Sequence, residues 1–201
     1  RFSSYVAIVV IAIIALASCG RKDARSILPD GLKLREGDIV FRRGNGLTSR
    51  AVLAADRHGL YSHVGMVVDS CGVMMVVHAV PGEPDYEGDP DRVKMETPEK
   101  FFISLNADIG EVKRLRGDTV APAVAAREAV EIYRRGTLFD HDYDDSDTSR
   151  MYCCELVMHA YARAGIPLVE TFRHEFRLPG LGLILPSDIC NNGRLATVAA
   201  F

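Results

Sequence analysis

The chain has 201 residues, of which 48% are hydrophobic and 25% are charged, so it is long enough to bury the core of one domain. Its formal net charge is −3 at pH 7. This balance argues against a nucleic-acid partner, because proteins that bind nucleic acids usually present a surplus of basic side chains to the phosphates.

The start of the chain has the pattern of an export signal. Arg1 precedes a run of twelve apolar residues at positions 6–17, and small residues lead to Cys19. Such a run is too short to span a bilayer comfortably, whereas a basic start, a short apolar segment and small residues are typical of a signal peptide. The sequence LASC at positions 16–19 also resembles the lipobox of bacterial lipoproteins.

Together with the polar and charged residues that follow Cys19, the lipobox resemblance implies three parts of the chain. Residues 1–18 are the signal peptide, residues 19–35 form a polar tether, and residues 36–201 form a single domain. Cys19 is lipidated and anchors the protein to the membrane, stably only if it carries more than one lipid chain. The expected location is the bacterial cell envelope, facing the periplasm. A plain secretory signal and a buried N-terminal helix are the alternatives.

Export also bears on the other cysteines, because disulfides form readily outside the cytoplasm. Apart from Cys19, the chain contains Cys71, Cys153, Cys154 and Cys190. Four cysteines permit three pairings, and the sequence does not choose among them.

The first half of the domain predicts strands and a hairpin. A short apolar strand is expected at 39–41 and one or two helical turns at 49–55. Two runs rich in β-branched residues flank a turn sequence within 63–80, which predicts a β-hairpin. A symmetric four-residue loop at 69–72, with Val68 opposite Val73, would place His63 directly opposite His78, with the two side chains on one face.

The second half predicts two longer helices. An alternating segment at 111–115 indicates a strand, and Pro122 and Gly136 are typical of the first turn and the end of a helix over 120–135. A second helix is expected at roughly 151–164, and a late turn or helix start at 184–189. The predicted fold class is α+β, with a small antiparallel sheet.

Two adjacent cysteines, Cys153 and Cys154, stand where the second long helix is predicted to begin. A cysteine attacks a carbonyl as its thiolate, and the positive end of a helix dipole lowers the pKa of a thiol in the first turn. A nucleophilic cysteine also needs an imidazole base, which the hairpin supplies as His63 or His78. The spacing does not decide which of the two is the base.

The remaining histidines are weaker candidates for a catalytic base. His159 follows Cys153 by six residues, which places it about 240° around the helix. His58, His141 and His174 fall in predicted loops and are expected at the surface.

Other interpretations of the cysteine pair stay open. A buried cysteine packs as a small apolar side chain, so the pair can serve packing alone. A zinc site with the hairpin histidines is disfavoured, because adjacent cysteines chelate one ion poorly and the usual spacings are missing. The acidic loop at 139–150 departs from a calcium loop, because Asp145 replaces the required Gly and Met151 the required Glu. We therefore predict no metal and no cofactor.

Four motifs resemble, in their order, a permuted branch of the NlpC/p60-type cysteine peptidases and amidases. They are GDIVF at 37–41, SHVGMVV at 62–68, VVHA at 76–79 and YCCELV at 152–157. In standard members the cysteine helix comes first, whereas here it comes last, as in the YiiX/YebB-like hydrolases. The resemblance covers about residues 36–190. It implies a circularly permuted papain-like fold whose sheet packs on the cysteine helix.

The resemblance also implies roles for single residues. Cys153 matches the nucleophile, His63 the general base, and His78 the third polar position that orients the base. Cys154 replaces a serine that is usual in this branch. The backbone N–H of Cys153 is a candidate oxyanion donor, and Tyr152 and Cys154 are further candidates for contacts with the oxyanion or substrate.

These roles predict an exported, lipid-anchored cysteine hydrolase that cleaves an amide bond in a cell-wall or other peptide, through a thioester acyl-enzyme. Two alternatives remain. The permuted relatives include lecithin:retinol acyltransferase-like enzymes, so the protein can instead be a lipid-directed acyl hydrolase or acyltransferase. It can also be a non-catalytic binding lipoprotein that keeps the same pocket. The sequence predicts neither the oligomeric state nor the identity of the substrate.

Overall fold

The computed structural model describes residues 24–56, 59–143, 147–169, 174–175 and 182–201. The predicted signal peptide and the lipidation site Cys19 lie outside the described residues, as do His58 and the side chain of His174. Among the described residues, no helix combines the length and hydropathy needed to cross a bilayer.

The fold is mixed α+β, as predicted, and is built on one eight-stranded sheet in the order β10-β5-β1-β2-β3-β4-β6-β7. Its strands are β1 Ile39–Arg43, β2 His63–Ser70, β3 Val73–Val80, β4 Arg92–Glu96, β5 Ile109–Leu115, β6 Leu138–Phe139, β7 Arg150–Met151 and β10 Leu195–Ala200. Neighbouring strands are antiparallel except β6 and β7, which are parallel. The short strands β8 His174–Glu175 and β9 Gly182–Leu183 pair with each other.

The helices in the described part of the chain are α1 Leu47–Ala55, α2 Pro98–Phe101, α3 Val120–Arg134, α4 Cys153–Arg163 and α5 Pro186–Cys190. The two longest, α3 and α4, match the two predicted long helices. The sheet is larger than the small sheet predicted. β6 and β7 are only two residues long, and β10 is rich in alanine, so none of them carries a strong strand pattern.

The β2–β3 hairpin turns more tightly than a symmetric four-residue loop. Ser70 pairs with Val73, so the turn consists of Cys71 and Gly72 alone. Both turn residues have positive φ angles, 56° and 86°, which is typical of a type I′ turn. Asp69 stays in the ladder, and its carboxylate accepts a hydrogen bond from the N–H of Gly72 at 2.6 Å.

The tighter turn shifts the register of the hairpin by two residues. Met66 pairs with Val77, so the continued ladder places Gly65 opposite His78. The prediction that His63 lies directly opposite His78 is therefore wrong. Because side chains alternate with a period of two, a shift of two residues keeps both histidines on one face, as diagonal neighbours.

The two faces of the sheet have separate cores. α3 and α4 cover one face, where they pack against alternate side chains of β2 such as Met66. On the opposite face, Phe101 and Phe102 form a second core with residues from four central strands. Ile27 packs against this second core and donates its N–H to the carbonyl of Phe102 at 2.9 Å. The packing of the domain therefore begins before residue 36.

Candidate active site

Helix α4 begins at Cys153, so both adjacent cysteines lie in its first turn. Tyr152 precedes the helix with an extended backbone, and its N–H donates to the Glu155 carboxylate at 3.4 Å. The N–H groups of a first helical turn have no acceptor within the helix, and they form the positive end of its dipole. Cys153 lies half-buried at this end, whereas Cys154 is buried.

The two thiols differ in their ionisation. Their sulfur atoms lie 4.0 Å apart. Hydrogen bonding from the Cys154 thiol, together with the interaction with His63 and with the N–H of Val64, holds the pKa of Cys153 well below its usual value. Burial raises the pKa of Cys154 well above its usual value. Cys153 is therefore the thiol that ionises, and Cys154 remains a protonated donor beside it.

His63 and His78 form the next part of the site. His63 is the first residue of β2 and lines the same cavity as Cys153. Its Nε2 lies 2.8 Å from Nδ1 of His78, and Nε2 of His78 lies 3.1 Å from Oε1 of Glu96. The contact between His78 and Glu96 is not well aligned for a hydrogen bond, and neither Nε2 of His78 nor Oε1 of Glu96 has a better-aligned partner among the described residues. A continuous chain of polar contacts thus leads from the cavity to Glu96.

The hydrogen-bonding partners along the series His63–His78–Glu96 determine which ring nitrogen of each histidine carries a proton. An ionised Glu96 only accepts hydrogen bonds, so His78 carries its proton on Nε2 and accepts on Nδ1. His63 then carries its proton on Nε2. Its Nδ1 is left unprotonated, which is the state that takes a proton from the thiol of Cys153.

The pKa shifts agree with this assignment. Burial lowers the pKa of His63 to about 4, and it also lowers the pKa of His78. Burial raises the pKa of Glu96, but His78 and Lys100 outweigh that effect, so the net shift is downward. At neutral pH the two imidazoles are therefore neutral and the carboxylate is ionised.

Both histidines lie on the face of the sheet that carries Phe101. The ring of Phe101 stacks on His63 with 5.7 Å between centroids and meets His78 edge-on at 5.1 Å. The body of α4 covers the other face. Cys153 and His63 both stand at the start of their elements, α4 and β2, and this is where they line one cavity.

Glu96 was not identified from the sequence. It ends β4, in which polar residues alternate with Val93 and Met95. Lys94 pairs with His78, which makes Glu96 a diagonal neighbour of that histidine on the same face. The alternation indicates that the polar residues share a face, but only the strand register shows which histidine they reach.

The other candidate residues have different surroundings. Tyr152 is buried, and its hydroxyl accepts a hydrogen bond from the N–H of Ile184 at 3.2 Å while its ring lines the cavity beside Cys153. His141 and His159 lie away from that cavity, each partly exposed beside a carboxylate.

All four cysteines in the described part of the chain have free thiols. Cys71 is exposed in the hairpin turn. Cys190 is buried, and its thiol donates to the carboxylate of Glu111 at 3.4 Å.

The cavity beside Cys153 has a volume of about 120 Å³ and a mostly apolar lining. One wall comes from α1, and others come from the segments around β6 and β9. Its apolar residues include Val52, Ala55, Phe139, Leu183 and Leu185. This surface suits an apolar group of a ligand.

A metal ion does not fit between the two histidines as they stand. Nitrogen ligands lie about 2.0–2.1 Å from zinc, and a tetrahedral ion holds two of them roughly 3.3 Å apart. Nε2 of His63 and Nδ1 of His78 are 2.8 Å apart, at hydrogen-bonding distance. Among the described residues, no group of three or more His, Cys, Asp or Glu side chains is arranged to hold a metal.

The fold is similar to that of a solved structure, YiiX from Escherichia coli O157:H7, which is named a metalloprotein of DUF1105. The TM-score is 0.63 with 21% sequence identity, over 83% of this chain and 97% of the YiiX chain. No family model matches the sequence, and no curated protein matches it significantly. The protein therefore has a YiiX-like fold, and its activity must be argued from the site itself.

Proposed function

We propose that the protein is a cysteine hydrolase in which Cys153 attacks an amide or ester carbonyl and His63 is the base. The observation that carries this proposal is the position of Cys153 at the start of α4, in one cavity with His63 and beside the chain His63–His78–Glu96. A thiol, an imidazole and groups that orient the imidazole are the parts that nucleophilic catalysis by cysteine requires.

The reaction proceeds in two steps. The proton of the Cys153 thiol passes to Nδ1 of His63, and the sulfur forms a C–S bond with the carbonyl carbon. The carbon–nitrogen or carbon–oxygen bond then breaks, and the leaving group takes that proton from His63. Water, deprotonated by His63, attacks the thioester, and His63 returns the proton to the sulfur of Cys153 as the acid is released. The N–H of Cys153 is the proposed donor to the oxyanion.

An amide bond in a peptide, including a cell-wall peptide, is the first candidate substrate. A lipid acyl group is the second, and the apolar lining of the cavity beside Cys153 favours it. The second candidate includes acyl transfer, in which an alcohol or amine replaces water in the second step. Export and lipid anchoring through Cys19 belong to the same proposal and rest on the sequence pattern.

Labelling with iodoacetamide tests the proposal directly. Cys71 is an exposed free cysteine in the same chain and serves as an internal reference. At pH 6 we expect Cys153 to be labelled at least tenfold faster than Cys71, because only a small fraction of an ordinary thiol is ionised there. Peptide mass spectrometry measures both rates. Equal rates would contradict a catalytic Cys153 and favour a binding protein.

Two serine variants identify the reacting thiol. Cys153→Ser should remove the fast labelling, and Cys154→Ser should keep it. The reverse result would assign the reaction to Cys154. Incubation with muropeptides and with lipids, followed by mass spectrometry of the products, separates the two candidate substrates.

A further inference from the structure

A second cavity adjoins the apolar cavity. Its volume is about 270 Å³, and it shares Thr48, Ser62, His63 and Pro81 with the first. Cys153 lines only the apolar cavity, whereas His63 lines both. The base therefore stands at the junction of two compartments that differ in chemistry.

The lining of the second cavity, called the polar cavity below, is mixed but more polar than that of the first, and it carries no unpaired charge. Arg42 and Glu83 are its charged residues, and they form an ion pair. Arg42 is almost completely buried and also donates to the carbonyl of Phe101 at 2.7 Å. The amide of Asn106 donates to the second carboxylate oxygen of Glu83 at 3.0 Å. Opposite charges thus cancel at the floor of the cavity.

The proposed reaction assigns each half of the substrate to one compartment. The acyl half becomes bonded to Sγ of Cys153, so it occupies the apolar cavity. The other half departs with a proton from His63, so it must lie against His63 and need not touch Cys153. The polar cavity is the described compartment that meets both conditions.

We propose that the polar cavity is the leaving-group subsite and that it takes an uncharged group with several hydroxyls, of which glycerol is a simple example. A carboxylate has about four lone-pair sites. Arg42 and Asn106 use part of those on Glu83, which leaves acceptor capacity for hydroxyls of the ligand. Because the charges of Arg42 and Glu83 cancel, a charged group would lose its hydration there without gaining a counter-ion. This inference rests on the proposed function.

Esters that share one acyl group test the subsite. We would compare 1-hexanoylglycerol, methyl hexanoate and hexanoylcholine, which all form the same hexanoyl-enzyme at Cys153. Differences in kcat/KM between them therefore report only on the leaving group. With the full chain, we expect the glycerol ester to exceed both the methyl and the choline ester at least tenfold.

Substitutions in the second cavity test whether its side chains cause the preference for the glycerol ester. Glu83→Gln should lower the ratio of the glycerol to the methyl ester about tenfold, the effect of losing a hydrogen bond to a charged group. Asn106→Ala should lower it several-fold, and this variant also serves if Glu83→Gln does not fold. Glu87→Gln, on the same loop but exposed, is the matched control and should keep the ratio.

The outcomes separate this inference from the proposed function. Mass spectrometry after p-nitrophenyl hexanoate shows whether hexanoyl-Cys153 forms at all. Its absence would overturn the subsite, and it would overturn the proposed function as well if iodoacetamide labels Cys153 no faster than Cys71. A hexanoyl-enzyme that forms without any preference for the glycerol ester would overturn the subsite alone. A preference for the glycerol ester that is unchanged in both Glu83→Gln and Asn106→Ala would also overturn the subsite alone.

Discussion

Replacing Glu96 by glutamine removes one charge from the site and keeps the size of the side chain. In the proposed reaction His63 becomes an imidazolium when Cys153 attacks, and the carboxylate at the far end of the chain would stabilise it. The ring centroids of His63 and His78 are 5.1 Å apart, and Glu96 lies 3.1 Å beyond Nε2 of His78. The carboxylate is thus roughly 8 Å from the imidazolium, which is worth about 2 kcal/mol at an effective dielectric constant of about 20.

A loss of about 2 kcal/mol corresponds to a fall of about 30-fold in the rate of acylation. The assay is the burst of nitrophenolate when p-nitrophenyl hexanoate acylates Cys153. We expect Glu96→Gln to lower kcat rather than raise KM, because Glu96 lines neither cavity and its charge acts on the imidazolium that forms during attack.

The matched control is Glu99→Gln, an exposed residue three positions further on. It should leave acylation unchanged. Thermal denaturation confirms that both variants fold. A fall of less than about threefold in a folded Glu96→Gln protein, or an equal fall in the control, would refute the assignment of Glu96 to the proton chain.

Three further predictions follow from the same contacts. Cys154→Ala should raise the pKa of Cys153 by about one unit, because it removes the donor 4.0 Å from the thiolate, and Cys154→Ser should largely restore the low pKa. The pH dependence of iodoacetamide labelling measures this pKa, and an unchanged pKa in Cys154→Ala would contradict the role of Cys154 as donor. The contribution of His63 to the free energy of unfolding should fall by about 3 kcal/mol between pH 6.5 and 4, because the unfolded chain takes up a proton on His63 that the folded protein excludes. The stabilising contribution of His63 is fully present above pH 6.5. Urea unfolding of the wild type and of His63→Gln at each pH isolates this contribution, because the variant should not show the fall. Gly65→Ala should destabilise the protein by about 1–3 kcal/mol, because the added Cβ would lie 3.1 Å from Cβ of His78. Thermal unfolding measures the change, and an unchanged midpoint would contradict this prediction and show that β3 moves to make room.

The sequence by itself determined the local elements and the residues able to do chemistry. Helix α4 starts at the cysteine pair and α3 follows its Pro and Gly signals, because such boundaries depend on neighbours within a few residues. The two runs around residues 69–72 likewise identified the hairpin. The alternation of side chains kept His63 and His78 on one face even though the predicted register was wrong.

The tertiary structure alone decided how these residues meet. The tight turn at Cys71 and Gly72 set the hairpin register, and the pairing of β3 with β4 brought Glu96 to His78. The difference in ionisation between Cys153 and its neighbour also arises in the folded protein. These features depend on burial and on contacts between segments far apart in the chain, and the pattern of any one segment does not specify which distant segment will pack against it.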